Sequence, residues 1–379
     1  MAVFRQHPSL RWAVPVTATV VVLGGGSALG AMTASADTGL PHRSAAQLLV
    51  DVQNAHVAGM SGTVVQKSDL GLPDLSALTG AAGGGAGGEG SSELSSLVTG
   101  THTLRVWYAG PDQARMALLG TLGESDVIRN GRDLWVWSSK DRSAVHYRLP
   151  AKAGDGVNPA PGDLATSPQE AADRALTAIG PSTRVTTSGT ATVAGRSAYE
   201  LVLKPRSNDS LVSQVRIAID GRNHVPLRVQ VYSTQGTSPA FEVGFSSVSF
   251  TAPDAAQFRF NPPPGTKVTN KRLPVPGEQP GVGPTEMPPM GGQHADLRTV
   301  GEDWDTVLVG RIPSDGSGPG QQSQLGQLGP MLRQLPKASG DWGSGRVLSS
   351  RLLTVVVADD GRIAAGAVTP QAVYAALGR

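Results

Sequence analysis

Val215-Arg216-Ile217-Ala218-Ile219-Asp220-Gly221, followed shortly by Leu227-Arg228-Val229-Gln230-Val231, decides the fold. Apolar and polar side chains alternate in both runs, and a period of two belongs to a strand with one buried and one wet face. Asp220-Gly221 between them is a tight-turn signal, so the two strands pair as antiparallel neighbours. The same grammar extends outward. Strands are expected over 184–193, 197–204, 212–219, 227–232 and 240–250, with a second tight turn at Ala194-Gly195.

Upstream, β-rich runs at 63–66 and 103–108 lead into a meander of four strands over 114–119, 126–129, 133–138 and 144–149. Asn130-Gly131 and Lys140-Asp141-Arg142 supply its turns. Two helices interrupt the strands. One is expected over 44–56, with Ser44 as N-cap, Gln47 in the capping-box position, and Leu48, Val52 and Ala55 on one face, ending by Gly59. The other, over 168–179, has Ser167 as N-cap, Pro168 at its first position, Glu170 completing a capping box and Gly180-Pro181 as its stop. The fold class is therefore α+β: a curved antiparallel sheet covered on its concave face by two helices. Helices this short do not fill such a concavity by close packing, so an apolar cleft beneath them competes with an ordinary filled core.

The chain has 379 residues, with Gly 48, Pro 28 and only 4% aromatics, a loop-rich composition. Cys 0 excludes a disulfide framework, a thiolate metal site, a cysteine nucleophile and a lipidated cysteine. Arg5 and Arg11 account for the formal charge of +2, and the arginines elsewhere are dispersed among acids, so no nucleic acid partner is expected. Residues 1–36 read as a signal peptide or N-terminal membrane anchor. The two arginines form a basic start, 13–32 is uncharged and mostly apolar, and Ala34-Ser35-Ala36 resembles a cleavage site. An uncleaved anchor is the alternative, because that stretch approaches the roughly 20 residues that span a bilayer, although Gly24-Gly25-Gly26 weakens it as a stable helix. Either reading places the bulk of the chain outside the cytoplasmic membrane.

Three stretches bring a family into view: Val193-Ala194-Gly195-Arg196-Ser197-Ala198-Tyr199-Glu200-Leu201, then Ile219-Asp220-Gly221 with Pro226-Leu227-Arg228-Val229, then Phe258-Arg259-Phe260-Asn261-Pro262-Pro263-Pro264-Gly265. In this order they resemble the LolA/LolB-like superfamily, which includes periplasmic lipoprotein carriers and the sensor domain of MucB/RseB regulators. The resemblance covers 44–270 and implies a half-barrel whose apolar inner face accepts acyl chains. Outside the pattern lie a Gly-rich insertion at 79–92, a Pro/Gly-rich linker at 271–294 and a small α+β module at 295–379. In that module a β-like run at 306–309, a strand over 347–357, an Asp359-Asp360-Gly361 turn, a strand over 363–368 and a last helix from Pro370 to Leu377 are expected.

No catalytic constellation emerges. The seven histidines are scattered, and Gly59-Met60-Ser61-Gly62-Thr63 has Thr63 where a nucleophile elbow needs its second glycine. Gly83, Gly85 and Gly88 match a dinucleotide-binding spacing, but no apolar strand leads into them. Glu302, Asp303 and Asp305, and the Asp359-Asp360 pair, do not reproduce a calcium loop. No cofactor, no metal and no enzymatic activity are expected. The candidate ligand-binding residues are Trp107, Met116, Trp135, Trp137, Tyr147 and Phe245, large side chains on strands that either line a cavity or fill a core. The expected function is that of an extracytoplasmic carrier or sensor for a lipid, a lipoprotein acyl chain or another apolar ligand. A protein-binding regulator of envelope-stress signalling that contacts a membrane protein is the alternative.

Overall fold

A computed structural model describes residues 39–71, 100–120, 123–149, 179–272, 298–311 and 334–379. The expected signal segment at 1–36, the insertion at 79–92, the linker core at 273–292 and all of the second helix except Ile179 lie outside the described residues. Among the described residues the protein is strand-dominated, with a large curved, unclosed sheet of twelve strands and a second sheet of six.

The first helix, α1 (Ala45–Gln53), starts as the sequence dictates. Ser44 Oγ accepts from Gln47 N–H at 3.2 Å, while the Gln47 side chain accepts from Ser44 N–H at 2.9 Å. It stops three residues short of the expected end, where Asn54 closes back onto Val50.

In chain order the large sheet holds β1 (Met60–Ser68), β2 (Gly100–Tyr108), β3 (Gln113–Leu119), β4 (Glu124–Asn130), β5 (Asp133–Ser138), β6 (Ser143–Arg148), β7 (Thr183–Val193), β8 (Arg196–Pro205), β9 (Val212–Asp220), β10 (Pro226–Ser233), β11 (Pro239–Ser249) and β12 (Lys267–Arg272). Spatially the order is β12-β6-β5-β4-β3-β2-β1-β11-β10-β9-β8-β7. Two meanders therefore meet where β1 pairs with β11, and both halves depend on that seam. The turns obey the sequence: Gly131 has φ 61°, and Ala194 with Gly195 has φ 50° and 74°, the paired left-handed conformation that a two-residue hairpin requires.

One expectation needs correcting. The sheet is not wholly antiparallel, because β12 runs parallel to β6. After β11 the chain crosses one face of β3 and β4 through a short 3-10 turn at Ala255–Phe258, the crossover connection that a parallel strand needs. β12 also carries Lys271 and Arg272 past the expected start of the linker.

Alternation sorts the two faces. Leu48 and Leu49 of α1 pack on Tyr199, Leu201 and Ile219, with Ile217 and Leu203 beside them, and this defines the inner face. On the outer face of the same strands Glu200 accepts from Arg216 at 3.4 Å and lies 3.7 Å from Arg228, and Gln230 donates to Glu242 at 2.7 Å. Apolar in and polar out is what a one-sided core demands.

The second sheet holds β13 (Arg298–Val300), β14 (Val307–Arg311), β15 (Lys337–Gly340), β16 (Gly343–Ser349), β17 (Thr354–Ala358) and β18 (Arg362–Gly366), in the order β13-β14-β18-β17-β16-β15. Its helix α2 (Pro370–Leu377) buries Val373, Ala376 and Leu377 against Val309, Val356 and Ala364. The single strand expected over 347–357 is broken in two. Ser350 Oγ accepts from the N–H groups of Leu352 and Leu353, a local bond that competes with the ladder and folds the run into a hairpin.

Candidate functional site

Cross-strand register places the candidate residues, because side chains directly opposite one another share a face. Val106, Met116, Val127, Val136 and Val145 lie opposite one another from β2 to β6 and form one apolar row. Beside it runs the row Tyr108, Ala114, Arg129, Leu134 and Tyr147. Val64 lies opposite both Leu104 and Phe245, which carries the same face across the seam into the half that α1 covers. In that half the leucines of α1 cover Tyr199, Leu201 and Ile219 of β8 and β9. In the β2–β6 half Tyr108, Met116, Val127, Leu134, Val136 and Tyr147 stay half-buried, an apolar trough on the inner face.

The six candidates therefore do not converge. Met116, Tyr147 and Phe245 belong to the inner face, whereas Trp107, Trp135 and Trp137 lie on the outer one. There Trp107, Arg115, Ile128, Trp135 and His146 form one row, and Arg105, Ala117, Asp126, Trp137 and Ala144 the next. The segment that leads to β12 straps this outer surface. Phe258 is buried, and Phe260 tilts against Trp135 and Trp137 with ring centroids 5.2 Å and 5.9 Å away. Ile128, Ala117 and Ala144 beneath are almost fully buried. These tryptophans are packed by the chain's own strap. The strap has no periodic pattern, so sequence reading could pair the two tryptophans on a face but could not say what covers them.

Sequence reading also missed the polar partners on this surface. His146 stacks on Trp135 at 4.2 Å between centroids and an 11° tilt, its Nε2 lies 2.8 Å from Asp133 Oδ1, and its Nδ1 lies 3.1 Å from Asn270 of β12. Deeper in, Arg115 Nη2 donates to Asp126 Oδ2 at 2.7 Å, reaches Glu124 at 3.5 Å, and lies 5.1 Å over the Trp107 ring. Asp126 is 1% exposed, and burial pushes its carboxyl up to about 6 against the opposing pull of Arg115. Its Oδ1, Arg115 Nε and Trp137 Nε1 are buried without a protein partner. Asp220 behaves oppositely. Burial raises it, but Arg196 and the N–H groups of Asn223 and Arg222 outweigh that and hold it below the usual carboxylate range.

Among the described residues no group of three metal-ligating side chains forms, and no helix is long and apolar enough to cross a membrane. The arrangement offers apolar area and buried ion pairs.

No family model and no curated protein matches the chain. Among solved structures it is similar to MucB of Pseudomonas aeruginosa in its complex with MucA, at 14% identity and a TM-score of 0.43, covering 88% of this chain and 96% of that one. It is similar also to a LolA superfamily protein from Nitrosomonas europaea, at 13% identity and a TM-score of 0.22, covering 58% and 99%. The lipoprotein LppX of Mycobacterium tuberculosis shares 12% identity at a TM-score of 0.26, covering 53% and 93%.

Proposed function

We propose that the protein is an extracytoplasmic carrier or sensor that holds an apolar ligand, a lipid or the acyl chain of a lipoprotein, in the inner trough without transforming it. The observation that carries this reading is the row Val106, Met116, Val127, Val136 and Val145, flanked by Tyr108, Leu134 and Tyr147, whose central members stay half-buried on an inner face that the α1 leucines cover only around β8 and β9. An acyl chain laid along it gains roughly 0.8 kcal/mol per buried CH₂, from which the cost of ordering is subtracted. Export rests on the basic and apolar start of the chain. A reporter active only in the cytoplasm, fused to the C-terminus, should stay silent.

The test is saturable uptake of a fluorescent fatty acid. Met116→Asp places a charge in the middle of the row and should weaken uptake at least tenfold while the circular dichroism spectrum is kept. No saturable uptake by the unaltered chain would sink the reading. A second reading, a protein-binding regulator, draws on the second sheet. Its face opposite α2 bears Leu308, Ala365, Val355 and Leu348 in one row, and Leu308 is 53% exposed. Binding of a membrane protein's exported segment that Leu308→Asp abolishes, without fatty-acid uptake, would favour it.

A further inference from the structure

Among the described residues the second sheet meets the end of the first in three places. Before β14, Ser182 Oγ donates to Asp303 at 2.6 Å and Trp304 Nε1 donates to Thr183 Oγ1 at 2.7 Å. After β18, Leu211 N–H donates to Ala367 O and Thr369 N–H to Asp209 O, both at 2.8 Å. The third contact is the β16–β17 turn. Arg351 N–H donates to Leu70 O at 2.7 Å, and Ser233 Oγ donates to Arg351 O at 2.5 Å. The Arg351 guanidinium then enters the large sheet, with Nη1 on Asp69 Oδ2 at 2.6 Å and on Asp69 O at 3.2 Å, and Nη2 on Ser238 O at 2.7 Å. Two glycines form the slot: a Cβ on Gly236 would stand 2.8 Å from Arg351 Nη2, and one on Gly71 would stand 3.3 Å from its Cγ. Among the described residues none of the three apolar clusters contains members from both sheets.

We propose that Arg351 is a releasable latch that holds the C-terminal sheet on the end of the large one. Polar interfaces between units of one chain resemble transient protein–protein contacts, and relative motion is their ordinary behaviour. The backbone pairs near Asp209 and Ala367 form a short antiparallel bridge in which Ser210, Leu211 and Val368 are buried, so they remain as the tether about which the two sheets move. Arg351 differs, because one side chain bridges the end of β1 and the β10–β11 turn, and it fits only where two glycines leave room. Its anion is open to solvent, since the Asp69 side chain is 73% exposed while that of Arg351 is 14% exposed. The latch is therefore sensitive to ionic strength and to any partner that competes for Asp69.

The natural chain has no cysteine, so Arg222→Cys and Lys337→Cys provide single labelling sites on the two units for energy-transfer distance measurements on the full chain. A narrow distance distribution is expected at low salt. It should be lost in Arg351→Ala, and in about 1 M salt with the latch intact, where the screening length falls to about 3 Å. Gly236→Ala leaves every charge in place but crowds the end of the Arg351 side chain, so the units should open at lower salt than in the unaltered chain, with the circular dichroism spectrum unchanged. A wild-type distance distribution in Arg351→Ala would overturn the proposal. If Arg351→Ala does not fold, a wild-type distribution in Gly236→Ala at every salt concentration would overturn it equally.

Discussion

Asp126 shows how one side chain can set the response of the sheet to acid. Its folded carboxyl titrates at about 6 against 3.8 for an ordinary aspartate, because burial disfavours the charged form more than Arg115 restores it. The folded state thus keeps a proton that the unfolded chain has released. The resulting stabilisation is fully present below about 3.8 and is lost as pH rises through about 6. At most about 3 kcal/mol is involved, at 1.36 kcal/mol per pKa unit. In Asp126→Asn this component is absent, so the difference in unfolding free energy between the two proteins should change across pH 4–6.5 and be flat above it. Urea titrations at several pH values would read it, and a pH-independent difference would remove Asp126 from this role. Trp137 lies opposite Asp126 under Phe260. Trp137→Ala should cost about 2–4 kcal/mol, somewhat below the range for fully buried aromatics, and should leave fatty-acid uptake of the folded protein within twofold. Weakened uptake would return the outer face to the binding site.

The elements differ in how openly the sequence announces them. The α1 cap was legible because Ser44 and Gln47 sit three apart and satisfy each other's backbone groups locally. Removing it with Ser44→Ala should lower stability by about 1 kcal/mol, and Leu48→Ala, in the seal beneath, by about 2–5 kcal/mol, both measurable by urea unfolding. Hairpin turns such as Asn130-Gly131 were legible for the same reason: φ > 0 is demanded at defined positions. Period-two alternation also told truly that Trp135 and Trp137 share a face. It could not say which face is inner, since that depends on where α1 lies, nor that the segment after β11 would strap the tryptophans and approach β6 in parallel. The split of 347–357 escaped notice because Val and Leu on both sides continue the strand pattern, while the break depends on the Ser350 hydroxyl bonding to the backbone.

At the scale of the molecule, two meanders carry different duties on one continuous sheet. One carries α1 on its inner face, the other keeps an apolar row half-buried on the inner face and a strapped aromatic row on the outer one. The seam between them has a kinetic meaning. Thr63 and Ser247 meet across it although 184 positions separate them in the chain, so the first strand cannot acquire one of its two neighbours until the eleventh has been made. Such pairing carries a large loop-closure cost before any contact rewards it, which places folding in the slow, milliseconds-to-seconds range. Until then β1 presents an unprotected edge of the kind that recruits other chains. A nascent chain halted before β11 should aggregate, and one released after β12 should fold alone.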